Sequence, residues 1–344
     1  MSALVRVDRV SKSFRPSLTL GERIAAGLGA AVDRRPVQAV DDVSLEIVKG
    51  EVLGLVGESG SGKSVTGLAV MGLIDPPGKI ARGSIRFEGR ELVGLDEEAM
   101  RALRGKRLAM IFQDPMSTLN PVLRVDTQMI ETVLAHERVS EKAARARARD
   151  ALAKVGIPSP EERLTAYPHQ FSGGMRQRVA IAIALLHGPS LIIADEPTTA
   201  LDVTIQAQIL AEAQHLAEET GTALVWITHD LSVVASLADR VAVMYAGRIA
   251  EIGPVRDVIK SPLHPYASGL MGSIPSLEAQ GESRLVQIPG SMPRLSAIPK
   301  GCAFNPRCPK AFARCFVERP EPLPVGNRIV ACHLHSDGVK EIAA

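Results

Sequence analysis

The stretch VLGLVGESGSGKS at residues 52–64 determines the fold, because it joins a short apolar run to a glycine-rich loop that ends in Gly-Lys-Ser. Residues 57–64 match the pattern G-x-x-x-x-G-K-[S/T], and a helical pattern at residues 65–73 follows, which is the context that this motif requires. Glycines let backbone N–H groups close around phosphate oxygens, and the N-terminus of the following helix favours negative charge. We therefore predict a nucleotide-binding site for ATP formed by Gly57, Glu58, Ser59, Gly60, Ser61, Gly62, Lys63, Ser64 and Val65.

Polar residues follow three further apolar runs, and we predict that each marks the carboxyl end of a strand. Asp195 and Glu196 directly follow one such run. His229 follows the next run along the chain, and Gln113 follows an earlier one. A triphosphate loop needs an acid on its magnesium side, so we expect Asp195, Ser64 and Gln113 to bind Mg²⁺. Since side chains alternate along an extended chain, Glu196 is predicted to face the attacking water as general base, and His229 to contact the γ-phosphate.

Composition and pattern indicate the class of fold. Apolar runs that alternate with helical patterns predict an α/β fold with a mainly parallel sheet covered on both faces. Hydrophobic residues make up 46% of the 344 residues, which excludes global disorder. The net charge of +2 and the aromatic content of 3% argue against a nucleic-acid partner. No apolar run reaches membrane-spanning length and the start lacks a signal-peptide pattern, so we expect a cytoplasmic protein.

A second anion site is predicted from FSGGMRQR at residues 171–178. Ser172 is a favourable N-cap for a helix with an apolar face, and its hydroxyl would point outward together with the N–H groups of the two following glycines. In this segment the chain resembles the ATP-binding-cassette (ABC) ATPases, whose signature is a variant of LSGGQ; here Phe and Met replace the commoner Leu and Gln. The resemblance implies a head-to-tail dimer in which the partner's ATP is covered by Ser172, Gly173, Gly174 and Met175.

The resemblance assigns roles to residues outside these two motifs. It implies that Phe14 stacks on adenine and that Gln113 relays to a transmembrane subunit. Asp202 matches the D-loop and His229 the switch histidine. An insertion at residues 16–36, which we predict to be a short amphipathic helix, lengthens the step from Phe14 to the phosphate loop.

The ABC resemblance also implies the domain organisation. We expect a nucleotide-binding domain at residues 1–258, in which an antiparallel β subdomain and a helical subdomain at about residues 114–170 accompany the parallel core. Residues 259–344 are rich in Pro and carry every cysteine, so we predict a separate small C-terminal extension there.

Two further motifs resemble the ATPase subunits of dipeptide and oligopeptide importers, namely QDPMSTLNP at residues 113–121 and SPLHPY at residues 261–266. This resemblance implies ATP hydrolysis that drives uptake of peptides or a related small solute through two separate permease subunits. It also implies a second ATPase subunit, identical or related, an extracytoplasmic solute-binding protein, and a peripheral position on the cytoplasmic face of the inner membrane. The alternative is a soluble ABC ATPase not coupled to transport, and such proteins usually carry a coiled-coil insertion or a second cassette.

The cysteines suggest a metal site in the extension. Four thiolates suit an iron–sulfur cluster or Zn²⁺, although the close C-x₂₋₄-C pairs common at zinc sites are missing from this sequence. Similar tails in the importer group are associated with a [4Fe–4S] cluster. We therefore expect such a cluster, with Zn²⁺ as the second choice and metal-free thiols still open, at Cys302, Cys308, Cys315 and Cys332.

Overall fold

The computed structural model describes residues 3–14, 21, 37–74, 76, 78–114, 118–198, 203–273 and 287–336. The chain divides into two compact units. The first comprises residues 1–4, 47–54 and 94–239, and the second comprises residues 5–46, 55–93 and 240–344. Apart from Gly21, the insertion with its predicted amphipathic helix lies outside the described residues.

The secondary structure alternates between strands and helices along most of the chain. In chain order the strands are β1 (Val5–Phe14), β2 (Val37–Ile47), β3 (Val52–Val56), β4 (Lys79–Phe87), β5 (Arg90–Glu91), β6 (Leu108–Ile111), β7 (Leu191–Asp195), β8 (Ala223–Thr228), β9 (Arg240–Tyr245), β10 (Arg248–Pro254), β11 (Leu323–Val325) and β12 (Arg328–Val330). The helices are α1 (Lys63–Val70), α2 (Glu97–Leu103), α3 (Val125–Leu134), α4 (Glu141–Lys154), α5 (Pro160–Leu164), α6 (Gly173–Leu185), α7 (Val203–Thr220), α8 (Leu231–Leu237), α9 (Val255–Lys260), α10 (Pro265–Gly272) and α11 (Ala313–Val317). Short 3₁₀ turns occur at Pro168–Gln170, Asn305–Arg307 and His333–His335.

The first unit is built on parallel strands. Strand β7 pairs in parallel with β6 on one side and with β8 on the other. Every residue of β7 and β8 is buried, which is why these strands are continuous apolar runs rather than alternating ones. Because β6, β7 and β8 run in the same direction, the residues that follow them come to one edge of the sheet.

Helices α3 to α5 of the first unit pack against one another, and α4 also packs against α6. Ala144, Ala148 and Leu152 lie four residues apart on α4 and are fully buried, so one face of this helix packs inward. The helix begins at a Ser140 N-cap, whose Oγ accepts a hydrogen bond from the N–H of Ala143 at 3.2 Å.

The second unit contains an antiparallel sheet in the strand order β2-β1-β4-β5. The alternating pattern of β1 predicts an edge strand, but this expectation is wrong, because β1 lies between β2 and β4. Val5 pairs with Phe87, and the register shifts by a bulge between Asp8 and Ser11. The hydrogen bonds of β1 are thus used on both sides, whereas its side chains alternate between buried and exposed positions from Val5 to Asp8, before the bulge.

The C-terminal part of the second unit extends a hairpin. Strands β9 and β10 pair antiparallel, and β12 adds to β10 with Val330 opposite Glu251. The Glu251 side chain is fully buried, and its carboxylate accepts hydrogen bonds from the N–H groups of Leu263 at 2.9 Å and His264 at 2.8 Å. Arg328 Nη1 on β12 lies 3.1 Å from the other oxygen of Glu251. A buried carboxylate with three donors ties the extension to the hairpin.

The arrangement confirms the predicted α/β fold class, with a parallel sheet, an antiparallel sheet and covering helices. Among the described residues, no helix has both the length and the apolar character needed to cross a membrane.

Candidate active site

The phosphate loop, residues 57–64, is shaped by its glycines. Gly57 has a φ of +152°, and a Cβ at this position would lie 2.1 Å from the carbonyl oxygen of Met244. Gly62 has a φ of +106°, and its Cβ would lie 2.5 Å from the carbonyl oxygen of Ala39. Both positions therefore require glycine, for the sign of φ and for space. The loop leads directly into α1, whose N-cap is Gly62.

Lys63 lies inside the loop that precedes it. Its side chain is only slightly exposed, and Nζ donates to the carbonyl oxygens of Gly57 at 2.8 Å and Glu58 at 3.1 Å. The hydroxyl of Ser61 is buried and has no hydrogen-bond partner among the described residues. A buried ammonium group and an unsatisfied buried hydroxyl fit an anionic ligand, since each would gain a partner from a phosphate oxygen.

Phe14 lies in the same unit as the loop, at the end of β1. It is half-buried, and Lys12 Nζ lies 4.6 Å from the centroid of its ring. Lys12 therefore occupies one side of the Phe14 ring. The adenine-stacking role of Phe14 stays a prediction.

Three predicted residues meet at the carboxyl edge of the sheet in the first unit. Gln113 Nε2 donates to Glu196 Oε2 at 3.2 Å, and His229 Nδ1 lies 3.1 Å from Glu196 Oε1. Gln113 and His229 are exposed, whereas the Glu196 side chain is only 15% exposed. The carboxylate is thus held from two sides by groups that also reach solvent, which is the arrangement that a positioned base needs.

The backbone at Glu196 differs from the sequence expectation. Strand β7 ends at Asp195, and Glu196 has a φ of +46°, in the left-handed region. Its side chain is therefore aimed by a turn and not by the alternation of an extended chain. Its N–H donates to the carbonyl oxygen of Ile227 at 2.9 Å, which anchors the turn to β8. A non-glycine residue in this conformation is uncommon and is often found at functional sites.

The residues predicted to bind Mg²⁺ have suitable chemistry. Asp195 is 6% exposed at the tip of β7, Gln113 follows β6, and Ser64 is the second residue of α1. Carboxylate, amide and hydroxyl oxygens are the hard donors that Mg²⁺ prefers. Each of these donors therefore fits the ion by its chemistry, and Ser64 and Asp195 each have further polar interactions within the protein.

The signature segment forms a helix N-terminus, as the sequence predicts. Ser172 is the N-cap of α6, and its Oγ accepts a hydrogen bond from the N–H of Met175 at 3.3 Å. Ser172 and Gly173 are exposed, and Gly174 is half-buried. Apart from its chain neighbours and the backbone of its own helix turn, no described atom lies within 4 Å of the place where a Cβ of Gly173 would be. Asp202, the predicted D-loop residue, lies outside the described residues.

The predicted [4Fe–4S] cluster or Zn²⁺ site is wrong. Cys302, Cys308, Cys315 and Cys332 line one cavity of about 10 Å³. The described part of the chain nevertheless contains no group of three or more His, Cys, Asp or Glu side chains arranged to hold a metal ion. Burial raises the pKa of the Cys302 and Cys308 thiols and raises the pKa of Cys332 to about 12. Burial therefore disfavours the thiolate form that a metal needs.

Contacts between the phosphate loop and the C-terminal extension are not predicted by the sequence. Arg307 Nη1 lies 2.9 Å from Glu58 Oε1, and the N–H of Glu58 donates to the hydroxyl of Tyr266 at 2.9 Å. Tyr266 is buried, and this burial raises the pKa of its hydroxyl. No local motif marks these pairs, because they join positions more than 200 residues apart.

Comparison with known proteins agrees with the fold and the motifs. The ABC transporter family matches residues 40–199. The structure of the dimeric ATP-binding cassette MJ0796, in a post-hydrolysis state bound to ADP and Pi, aligns with a TM-score of 0.63 at 27% identity. The alignment covers 73% of this chain and 99% of that chain. Together they define the class: this chain is an ABC-type ATPase.

More similar relatives narrow the class. The family "Oligopeptide/dipeptide transporter, C-terminal region" matches residues 250–315. The oligopeptide transport ATP-binding protein OppD of Bacillus subtilis is 52% identical, over 88% of this chain and 86% of its own length. The dipeptide transport ATP-binding protein DppD of Haemophilus influenzae is 49% identical, over 87% of this chain and 91% of its own length. The chain belongs to the family of ATP-binding subunits of oligopeptide and dipeptide ABC importers.

Proposed function

We propose that this chain hydrolyses ATP to drive the import of dipeptides, oligopeptides or a related small solute through two separate permease subunits. The observation that carries the proposal is the cluster of Gln113, Glu196 and His229, because it presents a held carboxylate at the sheet edge where nucleotide chemistry takes place in such folds. An ABC ATPase not coupled to transport is not favoured, since the relatives named above are transport proteins.

Each site residue has a proposed part in the reaction. The phosphate loop binds the triphosphate through its N–H groups, with Lys63 as the cation and Val65 in the first turn of α1. Ser64, Gln113 and Asp195 would hold Mg²⁺, which supplies charge neutralisation on the phosphates. Glu196 accepts the proton of the attacking water, and His229 contacts the γ-phosphate and keeps the Glu196 carboxylate in place.

A second ATPase subunit completes the site in this proposal. The exposed N-terminus of α6, with Ser172, Gly173, Gly174 and Met175, would cover the ATP bound by the partner. The related cassette MJ0796 is described as a dimer, which supports this arrangement. The partner is either a second copy or a related chain, and Asp202 is proposed as the D-loop residue by resemblance.

Exposed apolar residues support docking to a permease. Phe112, Val122 and Tyr167 belong to the first unit and have exposed fractions of 37%, 76% and 38%. Contiguous apolar patches in solvent commonly mark interaction surfaces, and in this proposal the three residues belong to one such patch. We propose that they receive a permease segment, which places the chain peripherally on the cytoplasmic face of the membrane; an extracytoplasmic solute-binding protein would supply the cargo.

The substitution Glu196→Gln tests the catalytic assignment. The variant keeps the shape of the side chain and loses the base, so we expect kcat to fall by about 10²–10⁴-fold while ATP binding is retained. The matched control is Glu218→Gln on the exposed face of α7, which should hydrolyse ATP like the unmodified chain. Turnover by Glu196→Gln at the unmodified rate would remove Glu196 from the reaction. The proposed cargo is tested by measuring whether peptides stimulate ATP turnover when this chain and the permeases are reconstituted in vesicles.

A further inference from the structure

Glu58 is a negative charge in a loop that must accept a triphosphate. Its carboxylate is bound by a single guanidinium nitrogen of the C-terminal extension, with Arg307 Nη1 at 2.9 Å from Oε1 and 3.0 Å from Oε2. The Arg307 side chain is 7% exposed, so solvent screens this pair far less than it screens a surface pair.

Arg307 is held in place by the rest of the extension. Its Nε donates to the carbonyl oxygen of Pro289 at 2.8 Å, and Nη1 also lies 3.4 Å from the hydroxyl of Tyr245. The guanidinium carbon lies 5.8 Å from the ring centroid of Tyr245 and 6.0 Å from that of Phe304. The Arg307 guanidinium group therefore makes both hydrogen bonds and contacts with aromatic rings, and these hold its positive charge in one position.

The backbone of Glu58 is fixed by the same part of the chain. Its N–H donates to the hydroxyl of Tyr266 at 2.9 Å. The ring centroids of Tyr245 and Tyr266 are 4.5 Å apart. The ring centroid of Phe304 lies 5.2 Å from that of Tyr245 and 5.4 Å from that of Tyr266. A packed aromatic cluster therefore supports both partners of Glu58.

The charge arrangement has a consequence for nucleotide binding. An uncompensated carboxylate in the loop would carry a charge of the same sign as the phosphates that the loop is proposed to bind, so the two would repel each other. Arg307 neutralises this carboxylate, and it comes from the extension, not from the nucleotide-binding motif. We infer that Arg307 is a positioning residue of the phosphate loop, which sets the affinity for ATP by neutralising Glu58. This inference rests on the proposed ATP-binding role of the loop.

The test measures the Kd of Mg-ATP and the KM and kcat of hydrolysis for four variants of the full chain. For Arg307→Met we expect Kd and KM to rise about tenfold, because the Glu58 charge is exposed to the phosphates. For Glu58→Gln we expect tighter binding, by about threefold, because Arg307 remains. The double variant should bind within about twofold of the unmodified chain, since it carries neither charge.

The control is Arg314→Met. Arg314 belongs to the same extension and also makes an ion pair, with Glu318, but the two side chains are 39% and 52% exposed. We expect no change in its Kd.

Two results would overturn the inference: Arg307→Met with unchanged Kd, or a double variant as weak as Arg307→Met, which would indicate a purely structural role. If Arg307→Met fails to fold, Glu58→Gln alone decides, and weaker or unchanged binding contradicts the inference. If the unmodified chain itself does not bind ATP, the proposed function fails instead.

Discussion

The N-termini of helices α1 and α6 both lie in glycine-rich sequence, but the N-terminus of α1 is enclosed by protein and that of α6 is exposed. At α1, Lys63 is 5% exposed, and the carbonyl oxygen of Ala39 and the side chain of Met244 fill the space where a Cβ of Gly62 would lie. At α6, Ser172 is exposed, and no described residue outside the same helix turn comes within 4 Å of a Cβ on Gly173. The first terminus is shaped to surround a ligand, whereas the second leaves room for a ligand that another molecule brings. The same backbone device thus serves two geometries.

The enclosed terminus should depend on Lys63 for binding. Lys63→Met keeps most of the side-chain volume but removes the buried charge, so we expect the Kd for ATP to rise by about 100-fold or more. The measurement is titration calorimetry with Mg-ATP. Lys142→Met on the exposed surface of α4 is the matched control and should bind normally. Normal ATP binding by Lys63→Met would contradict the proposal that the enclosed N-terminus of α1 binds the phosphates through Lys63.

The open terminus should matter for hydrolysis and not for binding. Ser172→Arg places a bulky side chain at an exposed N-cap, so the fold tolerates it, while a partner's ATP is no longer covered. We expect ATP binding within about threefold of normal and hydrolysis reduced by about 100-fold. Equilibrium binding and steady-state turnover measure the two effects separately. Loss of binding would show that Ser172 acts on the ATP of its own chain.

Paired glycine substitutions sharpen the contrast at the level of stability. Gly62→Ala forces a Cβ into a left-handed position 2.5 Å from the carbonyl oxygen of Ala39, so we expect the Tm to fall by about 5 °C or more. Gly173→Ala meets open space in a helical residue, so we expect a change within about 1 °C. Thermal unfolding of the nucleotide-free chain measures both. Equal shifts would mean that the two termini are equally enclosed.

The sequence predicts the local features of the site well and the distant ones poorly. The phosphate loop and the Ser172 N-cap follow from short motifs, because their geometry is set by neighbouring residues. The left-handed turn at Glu196 depends on its hydrogen bond to β8, which no short pattern shows. The Arg307–Glu58 pair joins positions 249 residues apart and has no sequence signal.

The cysteines illustrate a different failure. A count of four thiols predicts a metal site, but the count fixes neither the arrangement of the thiols nor their ionisation. In the folded extension Cys315 and Cys332 are buried, and burial raises the pKa of Cys332 instead of stabilising its thiolate. The four cysteines line one cavity, yet the described residues contain no group of side chains arranged to hold a metal ion.

We propose that the exposed signature segment of one molecule completes the ATP site of another. ATP turnover per chain, measured against protein concentration with the oligomeric state recorded in the same samples, tests it most directly. We expect the specific rate to rise with concentration in step with the dimer fraction. A specific rate that stays constant down to dilutions at which every chain is a monomer would show that the ATP site does not need a second molecule.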